Sequence, residues 1–408
     1  MTQRSHAFHT PRAFALAASI ALFSLPLTTY AQSNVTLYGT LDSGFVYANH
    51  VGDHNAQQQG PASLSQIKSN ILSGSRWGLR GTESLGNGLT ALFQIESGFN
   101  ATTGEMANGG LAFGRKAVVG LRGDKWGEIT IGRQYDPVVD LVQGLTADGY
   151  YGGFFATPGD VDNYDNGARI NNAVRYATPN IGGLQFEGMY ALGNVAGKEG
   201  SGRAWGLAGA YNNGPLGLAA GYFFADGGTK TGDPTKTDGS RVWSGSAGSL
   251  FGSPINKGLK SASQIRIARV AAKYAFGPAI VGMSYSNAQY ASDALSAFTG
   301  TARFDTINTF ASYALTPALS TGFGYSYTRM HGPSKTNAHY NQFNAGVTYA
   351  LSKRTATYVL GGYQVASGRT LSTDAHRIVS AAASVGSYGL DAGAKTQLLV
   401  GMGLKHSF

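Results

Sequence analysis

The stretch SRWGLRG, residues 75–81, sets Arg76 and Arg80 four apart around Trp77 and Leu79. A guanidinium carries a permanent charge and fixed donors, so it suits holding or steering anions rather than moving protons. Further arginines stand at Arg115, Arg133, Arg169 and Arg175, with carboxylates at Glu96, Glu105 and Asp148. The spacing of Asp160, Asp162 and Asp165 permits oxygen ligation of calcium, but no EF-hand glycine or bidentate glutamate follows. His50 and His54 are four apart in a Gly/Gln-rich loop rather than on a helix, a poor zinc pair. No phosphate loop, H-E-x-x-H or G-x-S-x-G occurs, and no Ser/His/Asp or paired-carboxylate set stands out. The expectation is a non-enzyme without metal or cofactor, whose charged residues act by their fields.

What positions them must be unusual. The chain has 408 residues, no cysteine, 59 glycines, 22 tyrosines and 20 phenylalanines, and only 13% charged residues. It is not collagen, because no G-X-Y period appears, and 42% hydrophobic residues argue against disorder. Residues 1–31 read as an export signal: Arg4 and Arg12, the apolar run 13–27, then Thr29-Tyr30-Ala31 before Gln32. The expected mature domain is therefore 32–408. Its positive charge is spread thinly, which gives no nucleic-acid footprint.

Beyond residue 31 no apolar run of about 18 residues exists, which argues against membrane helices. Instead, period-two alternation recurs. Leu319, Thr321, Phe323, Tyr325 and Tyr327 share one face of a strand. Phe343, Ala345, Val347, Tyr349 and Leu351 do so on the next, and Leu398, Val400, Met402, Leu404, His406 and Phe408 on the last. A β-sandwich also alternates. Segments of ~10–12 residues, aromatic ends, and very short turns alternating with long polar loops favour a membrane barrel. The expected fold is all-β, with sixteen antiparallel strands. They begin near Val35, Asn70, Leu89, Ala112, Trp126, Ala168, Leu184, Arg203, Leu216, Ile265, Ala279, Phe304, Leu319, His339, Thr355 and Gln397. The longest loops fall near 135–167, 227–264 and 367–396. Sixteen strands leave a water-filled lumen.

Parity then assigns faces. Trp77 and Leu79 point outward, so Arg76 and Arg80 point into water; the reverse costs ~2–4 kcal/mol at the bilayer midplane. Leu89, Ala91, Phe93 and Ile95 point out, which turns Gln94 and Glu96 inward. Ile170, Val174 and Tyr176 are expected outward, and Arg169, Asn171 and Arg175 inward. Tyr38 and Tyr358 are candidates for the lumen face. KAVVGL is apolar on both faces and leaves Arg115 ambiguous, while Arg133 shares the outward parity of Ile129 and Ile131.

Several motifs in fixed order carry a family resemblance: VTLYGTLDSG (35–44), SGSRWGLRGTESLGNGLTALFQIESGFN (73–100), FGRKAVVGLRG (113–123), GEITIGRQYDPVVD (127–140), NNAVRYATP (171–179), SYALTPAL (312–319), YALSKRT (349–355) and GLKHSF (403–408). With these the mature chain resembles the trimeric general-diffusion porins of Gram-negative bacteria, most of all those of beta-proteobacteria. The resemblance implies an outer-membrane homotrimer that passes small hydrophilic solutes and ions, with lipid and lipopolysaccharide around it. It also implies a third extracellular loop, about 135–167, folded into the lumen.

The same resemblance maps the constriction onto Arg76, Arg115 and Arg169, with Glu96 among them and Asp148 as the best loop acid opposite. Asp160, Asp162 and Asp165 are expected further on, toward the mouth. Enterobacterial relatives carry P-E-F-G-G where this chain has Gly149-Tyr150-Tyr151-Gly152-Gly153, and Thr40 stands at the site of their wall lysine. Arg80, Arg175, Tyr38 and Thr40 are expected to line the pore. Arg133 is expected to take Glu105 from a neighbouring subunit's second loop as a latch. The terminal Phe408 resembles the signal read by the barrel-assembly machinery. Mild anion selectivity is expected, because rings of arginine attract anions. The alternatives are a pore selective for phosphate, dicarboxylates or sugars, and, from another class, an adhesin or structural barrel.

Overall fold

The computed structural model describes residues 34–52, 62–194, 200–228, 243–245 and 250–408. The expected export segment 1–31 and His54 lie outside these residues. Eighteen strands follow one another: β1 (Asn34–Val51), β2 (Ala62–Ser69), β3 (Arg76–Gly86), β4 (Leu89–Gly98), β5 (Lys116–Gly123), β6 (Gly127–Gln134), β7 (Ile170–Ala177), β8 (Leu184–Ala191), β9 (Ala204–Asn213), β10 (Leu216–Asp226), β11 (Gln264–Phe276), β12 (Ala279–Ala291), β13 (Thr301–Ala314), β14 (Leu319–His331), β15 (Asn337–Ala350), β16 (Thr355–Leu371), β17 (Ile378–Ser380) and β18 (Thr396–Ser407). Adjacent strands pair antiparallel.

The lower half of β1 pairs with β3 and its upper half with β2, so β2 and β3 form one stave broken at 70–75. β18 lies between β16 and β1 and closes the ring, while β17 pairs only with the upper end of β16. The result is a closed barrel of sixteen staves. Closure leaves no unpaired edge, which a hydrocarbon surround demands. The second stave begins at Ala62 rather than Asn70, and the fourth at Lys116 rather than Ala112.

The alternation is inside-out relative to a soluble protein. On β14 Phe323 is 62% exposed, whereas Ser326 and Thr328 on the opposite face are fully covered. On β5 Val119 is 62% exposed and Val118 6%. The outward face of the barrel is an apolar band that water would not tolerate and lipid or a neighbouring subunit would. At the seam, Gly39 and Phe408 exchange backbone hydrogen bonds, each 3.0 Å. The Phe408 ring covers Gly39 so closely that a Cβ there would lie 2.2 Å from it.

The loop 135–167 turns into the barrel and lies against the inner wall of β11–β16. Asp136 caps its helical turn Pro137–Val142 by accepting from Val138 and Val139 at 2.9 and 3.2 Å. Gln342 and Asn344 donate to Phe154 O at 3.3 and 2.6 Å, Tyr151 meets Ser312 at 2.8 Å, and Tyr164 meets Ser284 at 3.0 Å. Arg269, 1% exposed, sits 4.4 Å from the Tyr164 ring and donates to Asn163 O. Tyr151 and Phe155 stack at 4.7 Å against the wall at Gly322. Any Cβ at Gly322 would lie 2.2 Å from the Tyr151 ring. The inward loop is thus fixed by wall hydroxyls and amides and by a missing side chain.

Candidate pore constriction

Arg76, Glu96, Arg115, Asp148 and Arg169 line one cavity, together with Tyr135 and Asp165. The arginines enter it in the same way. Arg76 is the first residue of β3, Arg115 immediately precedes β5, and Arg169 immediately precedes β7. Each stands where an irregular segment becomes strand. Parity therefore could not settle Arg115. Lys116 pairs with the inward Glu96, so a continuous strand would have turned Arg115 outward.

Glu96 is the hub. It accepts from Arg115 Nε at 2.6 Å and from the Tyr38 hydroxyl at 2.9 Å, with Arg76 Nε at 3.8 Å. Tyr38 in turn accepts from Gln94 at 2.6 Å. Tyr135 bridges the other two cations: its hydroxyl accepts from Arg115 Nη2 at 2.8 Å and Arg169 Nη2 at 3.0 Å, and its ring lies 4.9 Å from the Arg169 guanidinium. Arg76 also donates to Ser73 and Gly74 O in the break between β2 and β3. That break hangs on Asp42, whose carboxylate accepts from the backbone of Ile71, Leu72 and Ser73 and from the Tyr358 hydroxyl. Sequence reading passed over both Asp42 and Tyr135. A lone inward acid on β1 was the available signal for Asp42; nothing marked Tyr135.

Asp148 lies in the cavity wall with its carboxylate turned to Thr146 and Gln143, at 2.6 and 2.7 Å. Burial, and next the Asp165 charge, raise its pKa to about 7. Asp165 sits nearer the arginines than its expected place toward the mouth. Ser387 donates to it, and Arg169 and Arg115 act on it electrostatically, although burial still pushes its carboxyl up. The cause is a second segment that folds inward. Residues 381–390, between β17 and β18, pack on the first: Ser387 N donates to Gly153 O at 3.2 Å, and the Tyr388 ring meets Phe154 at 4.8 Å. Asp160 accepts from the Asp165 backbone, and Asp162 takes Thr157 and Ser286. Among the described residues, no three His, Asp or Glu side chains gather as a metal site.

The expected pore-lining residues separate. Tyr38 and Arg80 face the lumen side by side, the guanidinium 5.4 Å from the ring. Thr40 has the expected inward parity but is nearly buried at the seam, 3.2 Å from Ser407. Arg175 also points inward, but Asp140, Glu187 at 3.0 Å and Glu128 at 3.4 Å enclose it. Tyr358 is likewise buried. Ile170 and Asn171 correct the parity reading. Ile170 is fully buried, and Asn171 bonds Arg133. Asn172, at φ 54°, inserts an extra residue against β6 and shifts the register. Arg133 pairs with Ala117 on the outward face and donates to Gly114 O at 2.8 Å. Glu105 is exposed; its carboxylate accepts from Thr103 and its carbonyl from Asn100 N, both within its own chain.

A closed sixteen-stave barrel with this waist invites comparison with known proteins. The family model described as Gram-negative porin matches residues 15–369. The chain belongs to the Gram-negative porin family. An outer membrane porin of Bordetella pertussis is 31% identical over 85% of this chain and 93% of its own length. Outer membrane porin protein 32 of Delftia acidovorans is 33% identical over 50% of this chain and 57% of its own. Among solved structures, an anion-selective porin from Comamonas acidovorans superposes with a TM-score of 0.69 at 24% identity, covering 92% of this chain and all of its own. This porin is accordingly a barrel of the outer membrane, a water-filled channel for passive diffusion of small hydrophilic solutes and ions.

Proposed function

We propose that this porin passes anions in preference to cations and does so as a homotrimer. The observation that carries the first part is the cavity in which Arg76, Arg115 and Arg169 converge. Of the acids beside them, Glu96 is offset by its two arginine neighbours, and burial, then the Asp165 charge, raises the pKa of Asp148 to about 7. A low-dielectric wall strengthens this field at the waist, whereas salt screens it in the vestibules. The Comamonas neighbour is an anion-selective porin, which agrees. Reversal potential in a KCl gradient across a planar bilayer tests the reading. A chloride preference supports it and a potassium preference ends it.

For the trimer, the support is the apolar outer face and the placement of Arg133. One solved relative of this fold, from Vibrio cholerae, is described in trimer form. Arg133 on the outward face and the exposed Glu105 are the latch between subunits in this reading. Phe408, whose ring covers the closure seam, serves as the assembly signal.

A further inference from the structure

Arg76 is the waist arginine most open to the lumen. Its side chain is 29% exposed, against 14% for Arg115, and Arg169 is buried. It is also held differently. Arg115 closes on Glu96, whereas Arg76 Nε stays 3.8 Å from that carboxylate. Its Nη1 donates instead to Ser73 Oγ at 3.1 Å and to Gly74 O at 2.8 Å. Its place thus depends on the break at 70–75, which lies outside any strand. The same break abuts the second cation: a Cβ at Gly74 would lie 3.1 Å from Arg115 Nη1.

A segment outside the ladder must find other partners for its N–H groups. One residue supplies most of them. Asp42 on β1 is fully covered, and its carboxylate accepts from Ile71 N at 3.0 Å, Leu72 N at 3.1 Å, Ser73 N at 3.0 Å and the Tyr358 hydroxyl at 2.6 Å. All four are donors, a set that suits an ionised carboxylate, which carries acceptors only. The main chain of Asp42 grips both ends of the break, because Asn70 N and the Ser75 hydroxyl donate to its carbonyl at 3.0 and 3.1 Å. On the lumen side both inward segments rest on the same residues. The Tyr388 hydroxyl donates to Ile71 O, and a Cβ at Gly152 would lie 2.4 Å from Leu72 O. Covered in this way, Asp42 cannot touch a passing ion.

We infer that Asp42 is a positioning residue for ion preference: by tying down Ile71, Leu72 and Ser73, it holds Arg76 out in the lumen, short of closure on Glu96. The inference rests on the reading that the arginine cluster sets that preference. Without the carboxylate, three N–H groups lose their acceptor. Ser73 and Gly74 then give way, and Arg76 is free to close on Glu96 as Arg115 does. The waist presents less positive charge, although a negative charge has been removed. The sign separates two roles. An Asp42 that acted through its own field alone would raise the chloride preference when neutralised.

Reversal potential in a KCl gradient and single-channel conductance of the assembled porin test this in Asp42→Asn, Arg76→Ser and the double variant. Asp42→Asn should lower the chloride-to-potassium permeability ratio about twofold, in the direction of Arg76→Ser. Added to Arg76→Ser, it should not lower the ratio further. Ser73→Ala removes one of the two bonds from the break to Arg76 and leaves Asp42 intact, so it should lower the ratio by less. If Asp42→Asn does not assemble, Ser73→Ala carries the test, and an unchanged ratio there overturns the inference. A ratio that rises in Asp42→Asn assigns Asp42 a field effect, and an unchanged ratio assigns it to stability alone. Either result, or an equal fall in both backgrounds, overturns the inference. If Arg76→Ser itself leaves the ratio at the parent's value, the ion-preference reading fails separately. Conductance then decides the positioning role: Asp42→Asn should still change it in the parent and leave it unchanged in Arg76→Ser.

Discussion

Arg115 and Glu96 form a closed pair, Nε to Oε1 at 2.6 Å with side chains 14% and 9% exposed, yet the pair does not neutralise the waist. Glu96 is shared with Arg76, and Arg115 passes on through Tyr135 to Arg169. One ionised carboxylate thus holds three guanidiniums in place and leaves the cluster positive. In the proposed constriction its role is to fix the cations as much as to offset them.

Glu96→Gln should therefore act on both selectivity and stability. The amide can still meet Tyr38, but the charge is gone and Arg115 is left covered without a counter-ion. The chloride-to-potassium permeability ratio should rise, and the assembled barrel should lose ~3 kcal/mol, as when one partner of a buried pair is removed. Arg115→Gln should lower the same ratio. Reversal potentials and thermal unfolding in detergent check both; an unchanged ratio in Glu96→Gln would remove Glu96 from the filter.

Asp148 should make the proposed filter depend on pH. Burial and the charge of Asp165 raise its pKa from 3.8 to about 7. Below that pH the carboxyl is protonated and no longer offsets the arginines. As pH rises from 6 to 8 it ionises, and anion preference should fall. The added charge acts on the order of 1 kcal/mol at the waist, about a fivefold change in local anion concentration. The stability sign follows. The folded state holds this proton more tightly than the unfolded chain, so the contribution to loop docking is greatest at low pH and declines as pH climbs from about 4 to about 7. Asp148→Asn should flatten the selectivity profile between pH 6 and 8.

The barrel was legible in the sequence because alternation between lipid and water repeats in every stave. Arg76, Arg80 and Glu96 lie in or at the ends of regular strands, so parity placed them. Arg115 stands just outside its strand, where parity has no purchase, and only the family resemblance placed it on the wall; parity turned Arg169 inward, and the resemblance set it beside the other two. Ile170 and Asn171 went wrong for a related reason: the residue inserted at Asn172 is an asparagine like many others, and no composition rule marks it. Asp165 was misplaced because its position depends on the segment 381–390, more than 200 residues away, folding into the same lumen. Arg175 was placed on the correct face, but its three carboxylate partners come from three different elements, so its charge could not be seen to be enclosed.

The seat of the inward loop can be tested at Gly322. The Tyr151 ring occupies the space a side chain would need. Gly322→Val should force Tyr151 away from Ser312 and weaken docking by ~1–3 kcal/mol, as overpacking does in a close-packed contact. Open-channel current noise should rise, and protease should cut the loop more readily than in the parent. The outward Val347, on a neighbouring stave, offers a control: Val347→Ala should do neither. Parent-like noise and protease resistance in Gly322→Val would show that the loop is held elsewhere.

Arg133 offers the sharpest test of assembly, because its own chain already accounts for part of it. Nε donates to Gly114 O and Nη1 to Asn171, while Nη2 has no partner among the described residues. Arg133→Ala would lower stability even without a latch, through the two bonds inside the chain. A double-mutant cycle separates the contributions. If Arg133 reaches Glu105 of the neighbouring subunit, Glu105→Ala alone should lower the trimer's melting temperature. The double variant should then be less damaged than the sum of the singles, by ~0.5–3 kcal/mol of coupling. Strictly additive losses would assign Arg133 to the support of its own stave, and the latch would have to be sought elsewhere on the outward face.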